Sequence, residues 1–127
     1  YVPGGGVALL RTLAALEKAQ KSAKGDEKLG FDIIMKAVEA PLFQIATNSG
    51  TDGDVVVEKV KELPTNQGFN AVSHEYIDMV KAGIIDPAKV AKTALTNAAS
   101  VAGLMLTTDV MITELKEDKQ PVTGATA

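Results

Sequence analysis

The sequence predicts a mainly α-helical fold: a helical bundle with a long buried central helix and a terminal β-strand. Three observations carry that expectation. Apolar residues recur at helical spacing through long stretches of the chain. The apolar complement is aliphatic, with aromatics limited to Tyr1, Phe31, Phe43, Phe69 and Tyr76, which favours close helix packing over a β-sandwich. One segment near the C-terminal end alternates in the manner of a strand.

The elements follow in order. Leu9, Leu13 and Leu16, with Leu10 and Ala14 beside them, predict a helix from Val7 to about Ala23 that Gly25 ends. Phe31, Ile34, Met35, Val38, Leu42 and Ile45 predict a second from about Asp26 to Asn48. Pro41 lies inside it and costs roughly 3 kcal/mol through a lost backbone bond and a clash with the carbonyl of Ala37. The period runs on across Pro41, so one bent helix is expected. Thr51 to Asp54 is a turn with Asp54 a plausible cap. Val55 to Lys61 fits a strand by its β-branched residues and a short helix by its spacing. Pro64 to Gly68 is loop, and Phe69 to Ile85 reads as short irregular pieces.

Asp86-Pro87 marks the start of a helix to about Leu106, with Asp86 as cap and proline where its missing N–H costs nothing. From Ala98 to Leu106 this helix is apolar nearly all round, which predicts burial on every face. Asp109 to Leu115 is the expected strand, without a visible partner in the chain. Residues 1–115 thus form one unit, and the polar stretch 116–127 is expected to be a flexible tail.

The 127 residues suffice for one core, and 46% hydrophobic with 23% charged residues are ordinary values for a folded domain. A net charge of −3 argues against nucleic acid as a main partner, because phosphate binding wants a basic surface. No cysteine is present, which excludes a disulfide framework, a thiolate metal site and a cysteine nucleophile. No apolar run reaches the roughly 18 residues of a membrane helix, and the first residues lack the basic-then-apolar order of a secretory signal. A soluble, intracellular protein is expected.

Isolated chemistry is sparse. His74 is the single histidine and has no cysteine or second histidine to share a metal, so it reads as a surface residue. Its neighbour Ser73 does not form a Ser-His pair with it, and the carboxylates show no paired motif. Gly4-Gly5-Gly6 fits neither the dinucleotide nor the phosphate-loop pattern and by itself reads as a flexible turn.

The combination is more specific than its parts. Pro3 to Arg11 resembles the glycine turn of group I chaperonins, the GroEL family. Ala37 to Leu42, Gly68 to Ala71, Gly83 to Val90 and Ala98 to Met105 with Thr107-Thr108 stand in that family's order and spacing. The resemblance covers Val2 to about Leu115. It implies the C-terminal half of an equatorial domain, the helical domain that binds ATP and makes most ring contacts. By motif it implies nucleotide-binding roles for five residues. Gly5 would bring backbone to the nucleotide, the Asn70 side chain and Ala71 backbone would meet adenine, Ile84 would pack on its face, and Asp86 would accept from the ribose hydroxyls.

The departures define what is expected of the chain alone. The family's phosphate loop, its magnesium-binding and catalytic aspartates and its apical domain have no counterpart among these residues. Val72 stands where members often carry a second alanine, and the glycine-methionine repeats that end many members are missing. The expectation is a fragment of an ATP-dependent, double-ring folding chaperonin, inactive as an ATPase alone. ATP and Mg belong to the intact parent, and no cofactor, catalytic residue or metal ligand is expected in the isolated chain. Neighbouring subunits are the implied partners, and the co-chaperonin and unfolded polypeptides would engage the absent domains. Neither nucleic acid nor membrane is expected. The implied location is bacterial cytoplasm or an organellar matrix or stroma. Two other readings remain open: a stand-alone self-association module acting through its terminal strand, and an adenosine-binding domain without catalysis.

Overall fold

The computed structural model describes residues 1–114. Helices dominate. In chain order the elements are β1 (Val2–Pro3), α1 (Val7–Leu10), α2 (Leu13–Gln20), α3 (Glu27–Asn48) and α4 (Gly53–Glu62). They continue with β2 (Gln67–Asn70), β3 (Glu75–Asp78), β4 (Ile85–Asp86) and α5 (Ala88–Leu106).

One contiguous core joins them. Val7 and Leu10 of α1, Leu42 and Ala46 of α3, and Val56, Val57 and Val60 of α4 bury their side chains together with Phe69 and Met79. The helix predicted from Val7 to Ala23 is broken at Arg11–Thr12. The Thr12 hydroxyl and backbone N–H both donate to the Leu9 carbonyl, at 2.6 and 3.0 Å, and this tight local turn replaces the regular helical bond. Helix α3 runs through Pro41 as one element. Burial of Val38, Leu42 and Ala46 on either side of the proline offsets the lost backbone bond.

Val55 to Lys61 is helix, and its cap is Asp52 rather than Asp54. The Asp52 carboxylate accepts from the N–H groups of Asp54 and Val55 at 3.0 and 3.2 Å. Within the stretch read as irregular, β2 and β3 form an antiparallel hairpin with Phe69 opposite Tyr76. Strand β4 pairs with β1, Val2 opposite Asp86 and Pro3 opposite Ile85.

Two expectations are corrected at the C-terminal end. Helix α5 is long but not buried: none of its residues is enclosed. Its residues Ala99, Ala102, Gly103 and Leu106 form one wall of an open apolar groove of about 430 Å³ against Leu16, Phe31 and Ile34. The described residues supply cover for that side only. Residues 109–114 form no strand, and Val110, Met111 and Ile112 are 77%, 69% and 95% exposed. A strand needs a ladder of hydrogen bonds to a partner, and no partner lies beside them among the described residues. Leu115 and the expected tail 116–127 lie outside the described residues.

Candidate functional site

The glycine triplet is held between three elements. Gly5 and Gly6 adopt φ of 66° and 81°, the left-handed region where glycine is at no disadvantage. At Gly6 a Cβ would stand 2.6 Å from the Leu42 nitrogen, so the turn leans directly on the α3 backbone just past Pro41. Gly4 approaches the opposite side, its N–H donating to the Ile84 carbonyl at 2.9 Å.

That bond extends the β1–β4 ladder by one step. Ile84, Ile85 and Asp86 therefore run alongside Val2 to Gly4, and the glycine turn cannot move without them. Ile84 in turn donates its N–H to the Met79 carbonyl at 2.9 Å, and Met79 donates to the Asn66 carbonyl at 2.9 Å. The β2–β3 hairpin is thus tied to the same ladder. On the Gly5 side, a Cβ would meet Met79 Cε at 3.0 Å and the Phe69 carbonyl at 3.8 Å, one residue from Asn70.

The side chains expected to face a nucleotide have distinct states. Ile84 is half-buried, with its side chain against the core. Asn70 spends its carbonyl oxygen on the Val72 N–H at 2.9 Å, which fixes the turn and leaves its amide as donor. Ala71 is half-buried against the core. Asp86 is exposed, and the expectation that it caps α5 is corrected. It sits in β4, Pro87 occupies the cap position, and no side chain caps the helix. Pairing with Val2 holds the Asp86 backbone extended, and the carboxylate has no partner among the described residues. Asp86 also borders a cleft of about 210 Å³ with Gly6, Leu9 and Val90.

Arg11 is a supporting residue that sequence reasoning passed over. It donates from Nη2 to the carbonyls of Pro64 and Gln67 at 2.8 and 3.1 Å, and from Nε to Thr65 at 3.3 Å. Nη1 reaches the Lys61 carbonyl at 3.4 Å. The guanidinium stands at the C-terminal end of α4, at the negative end of the helix dipole, and gathers the Lys61 carbonyl of the last turn with carbonyls of the loop that follows. It pins the segment leading into β2. Burial holds its pKa below the ordinary value. The visible signal was a lone arginine after an apolar run, which names no partner by itself.

The fit to an implied ligand set is uneven. A carboxylate without a partner among the described residues and an apolar side chain along the β1–β4 ladder, with an amide donor at the end of β2, suit a nucleoside. No group of three or more His, Cys, Asp or Glu that could hold a metal ion stands among the described residues.

Comparisons with known proteins bear on the family of the chain. The sequence model of the TCP-1/cpn60 chaperonin family matches residues 1–116. The chain is 50% identical over 124 residues to Chaperonin GroEL 1 of Rhodopirellula baltica, which covers 97% of this chain and 22% of that protein. Among solved structures it resembles the open-state monomer of a group II chaperonin from Methanococcoides burtonii. There the TM-score is 0.71 at 28% identity, over 83% of this chain and 27% of that one.

Proposed function

From the premise that this chain belongs to the TCP-1/cpn60 chaperonin family, we propose that it supplies the adenosine side of an ATP site and subunit contacts in a protein-folding ring. The observation that carries the reading is the β1–β4 ladder, which ties Gly4, Ile84 and Asp86 together while leaving the Asp86 carboxylate without a partner among the described residues. Asp86 accepts hydrogen bonds from the two ribose hydroxyls, and a charged acceptor makes such bonds roughly twice as strong as neutral ones. Ile84 packs on the adenine face. The Asn70 amide and the Ala71 backbone meet the polar edge of the base, and Gly5 gives the nucleotide close approach to backbone.

ATP, with Mg, supplies the phosphoryl chemistry when bound in the complete site. These residues orient the nucleoside and carry no step of hydrolysis, so the chain alone hydrolyses no ATP. In this reading the phosphate and metal side is supplied from outside these residues; the chain spans 22% of the length of its Rhodopirellula relative. No described helix is long and apolar enough to cross a membrane. A cytoplasmic or organellar chaperonin agrees with that.

The test uses a protomer of that relative carrying this chain in place of its own matching 124 residues. Asp86→Ala there raises the KM for ATP about tenfold, the equivalent of about 1.4 kcal/mol in lost hydrogen bonding. An unchanged KM overturns the assignment of Asp86 to the ribose.

A further inference from the structure

The turn that carries Asn70 and Ala71 is held by a set of contacts that nucleotide binding does not use. His74 closes that turn with φ of 58°, where a residue bearing a Cβ is strained. Its N–H donates to the Asn70 carbonyl at 2.8 Å. Its ring stands edge-on to Phe69, with centroids 5.9 Å apart and an interplanar angle of 85°. Through Nδ1 the ring reaches Thr51 Oγ1 at 3.0 Å, in the loop between α3 and α4.

The contacts beyond Thr51 favour one direction of that bond. Ser49 Oγ lies 2.7 Å from the Ala46 carbonyl, which only accepts, so the single Ser49 hydroxyl proton goes there. Thr51 Oγ1 lies 3.3 Å from Ser49 Oγ, and that contact is a hydrogen bond only when Thr51 donates. The Thr51 proton is then spent, and only a donor at His74 Nδ1 satisfies the third contact. All three contacts are met together by one sequence: His74 to Thr51 to Ser49 to the Ala46 carbonyl. It sets the neutral ring as the tautomer protonated at Nδ1, with Nε2 bare. Ala46 is a fully buried residue of α3, so the relay ends on the core.

We propose that the Ser49–Thr51–His74 relay is a positioning device for the base-recognition edge of the site, holding the Asn70–Ala71 turn to the end of α3. The function of the device rests on the nucleotide reading above. Its geometry does not. The turn's other local bonds, His74 N–H to Asn70 and Val72 N–H to the Asn70 side chain, keep its shape but do not tie it to the helices. The relay supplies that tie, and it offsets the strain at His74.

Two measurements test the proposal. The first uses the chain itself, whose single histidine makes its ring nitrogens unambiguous by NMR. A neutral ring protonated at Nδ1 is expected, and an Nε2-protonated ring overturns the relay. In the same chain Thr51→Val raises amide exchange at Val72 and His74 about tenfold, whereas Thr51→Ser and His74→Asn keep it near the parent value. Asn suits the rescue because its amide nitrogen takes the place of Nδ1 and it tolerates positive φ. Unchanged exchange in Thr51→Val overturns the relay as well.

The second measurement uses the protomer of the preceding section and compares KM for ATP and GTP. Thr51→Val narrows the preference for ATP severalfold, and Thr51→Ser and His74→Asn restore it. An unaltered ratio in Thr51→Val, beside a raised KM in Asp86→Ala, overturns the positioning role and leaves the nucleotide site standing. An unaltered KM in Asp86→Ala removes the site reading and with it the relay's role in base recognition, while the NMR result judges the relay itself.

Discussion

At the residue scale, the glycine triplet shows why a motif and a fold constraint coincide. Gly6 and Gly50 have nearly the same backbone, φ of 81° and 85°, yet a Cβ at Gly50 meets open space and one at Gly6 meets Leu42. Substituting alanine at Gly50 therefore costs only the left-handed conformation, about 1–2 kcal/mol. At Gly6 the same change adds overpacking against α3, about 1–3 kcal/mol more. Urea unfolding of the two variants side by side measures the difference, and equal losses would refute the close approach. The triplet was legible in the sequence as a motif, and so was Asp86. The capping role expected of Asp86 was not realised, because its β-pairing partner Val2 lies at the far end of the chain and no local rule announces it. His74 reads as a surface residue and is one. Its bond to Thr51 is equally long-range and has no sequence signature.

At the element scale, the two central helices are stapled by charge as well as by core residues. Lys61 of α4 lies 2.8 Å from Glu39 of α3 and 2.7 Å from Glu58 of its own helix. Burial alone pulls the Lys61 pKa down, but the hydrogen bonds and charges of Glu39 and Glu58 outweigh it, and the net shift is upward from 10.5. A raised folded-state pKa means that this contribution to stability is complete below 10.5 and is lost as pH rises through the higher folded value. Thermal unfolding followed upward from neutral pH should show a fall in Tm in that alkaline range, shallower in Lys61→Met. An identical slope in that variant would exclude Lys61 as the cause. The periodicity of α3 was strong enough to survive Pro41, whereas α4 left strand and helix open because its Val55-Val56-Val57 run favours strand while its spacing favours helix. The hairpin was missed for a different reason. Each of its strands has four residues, too short for period-two alternation to stand out, and Phe69 is their one fully buried large residue.

At the scale of the whole molecule, the apolar pattern asks for more neighbours than these residues provide. Helix α5 was legible in its extent, and its all-round apolar second half was read as buried. In the chain by itself that half faces solvent, with Val101, Leu104 and Leu106 58%, 68% and 80% exposed. Val110, Met111 and Ile112, next in sequence beyond α5, are exposed as well. Among the described residues that half of α5 is covered on one side only, and periodicity cannot say what supplies the other side. Water-exposed apolar area of this kind drives association. Sedimentation velocity at increasing concentration should show the chain moving from monomer to larger species. Leu104→Glu combined with Ile112→Glu should hold it monomeric with little change in Tm, since neither side chain belongs to the core around Leu42 and Phe69. A parent chain that stays monomeric throughout would rule out assembly through this face. A double variant that lost its fold would show instead that α5 contributes to the stability of the core.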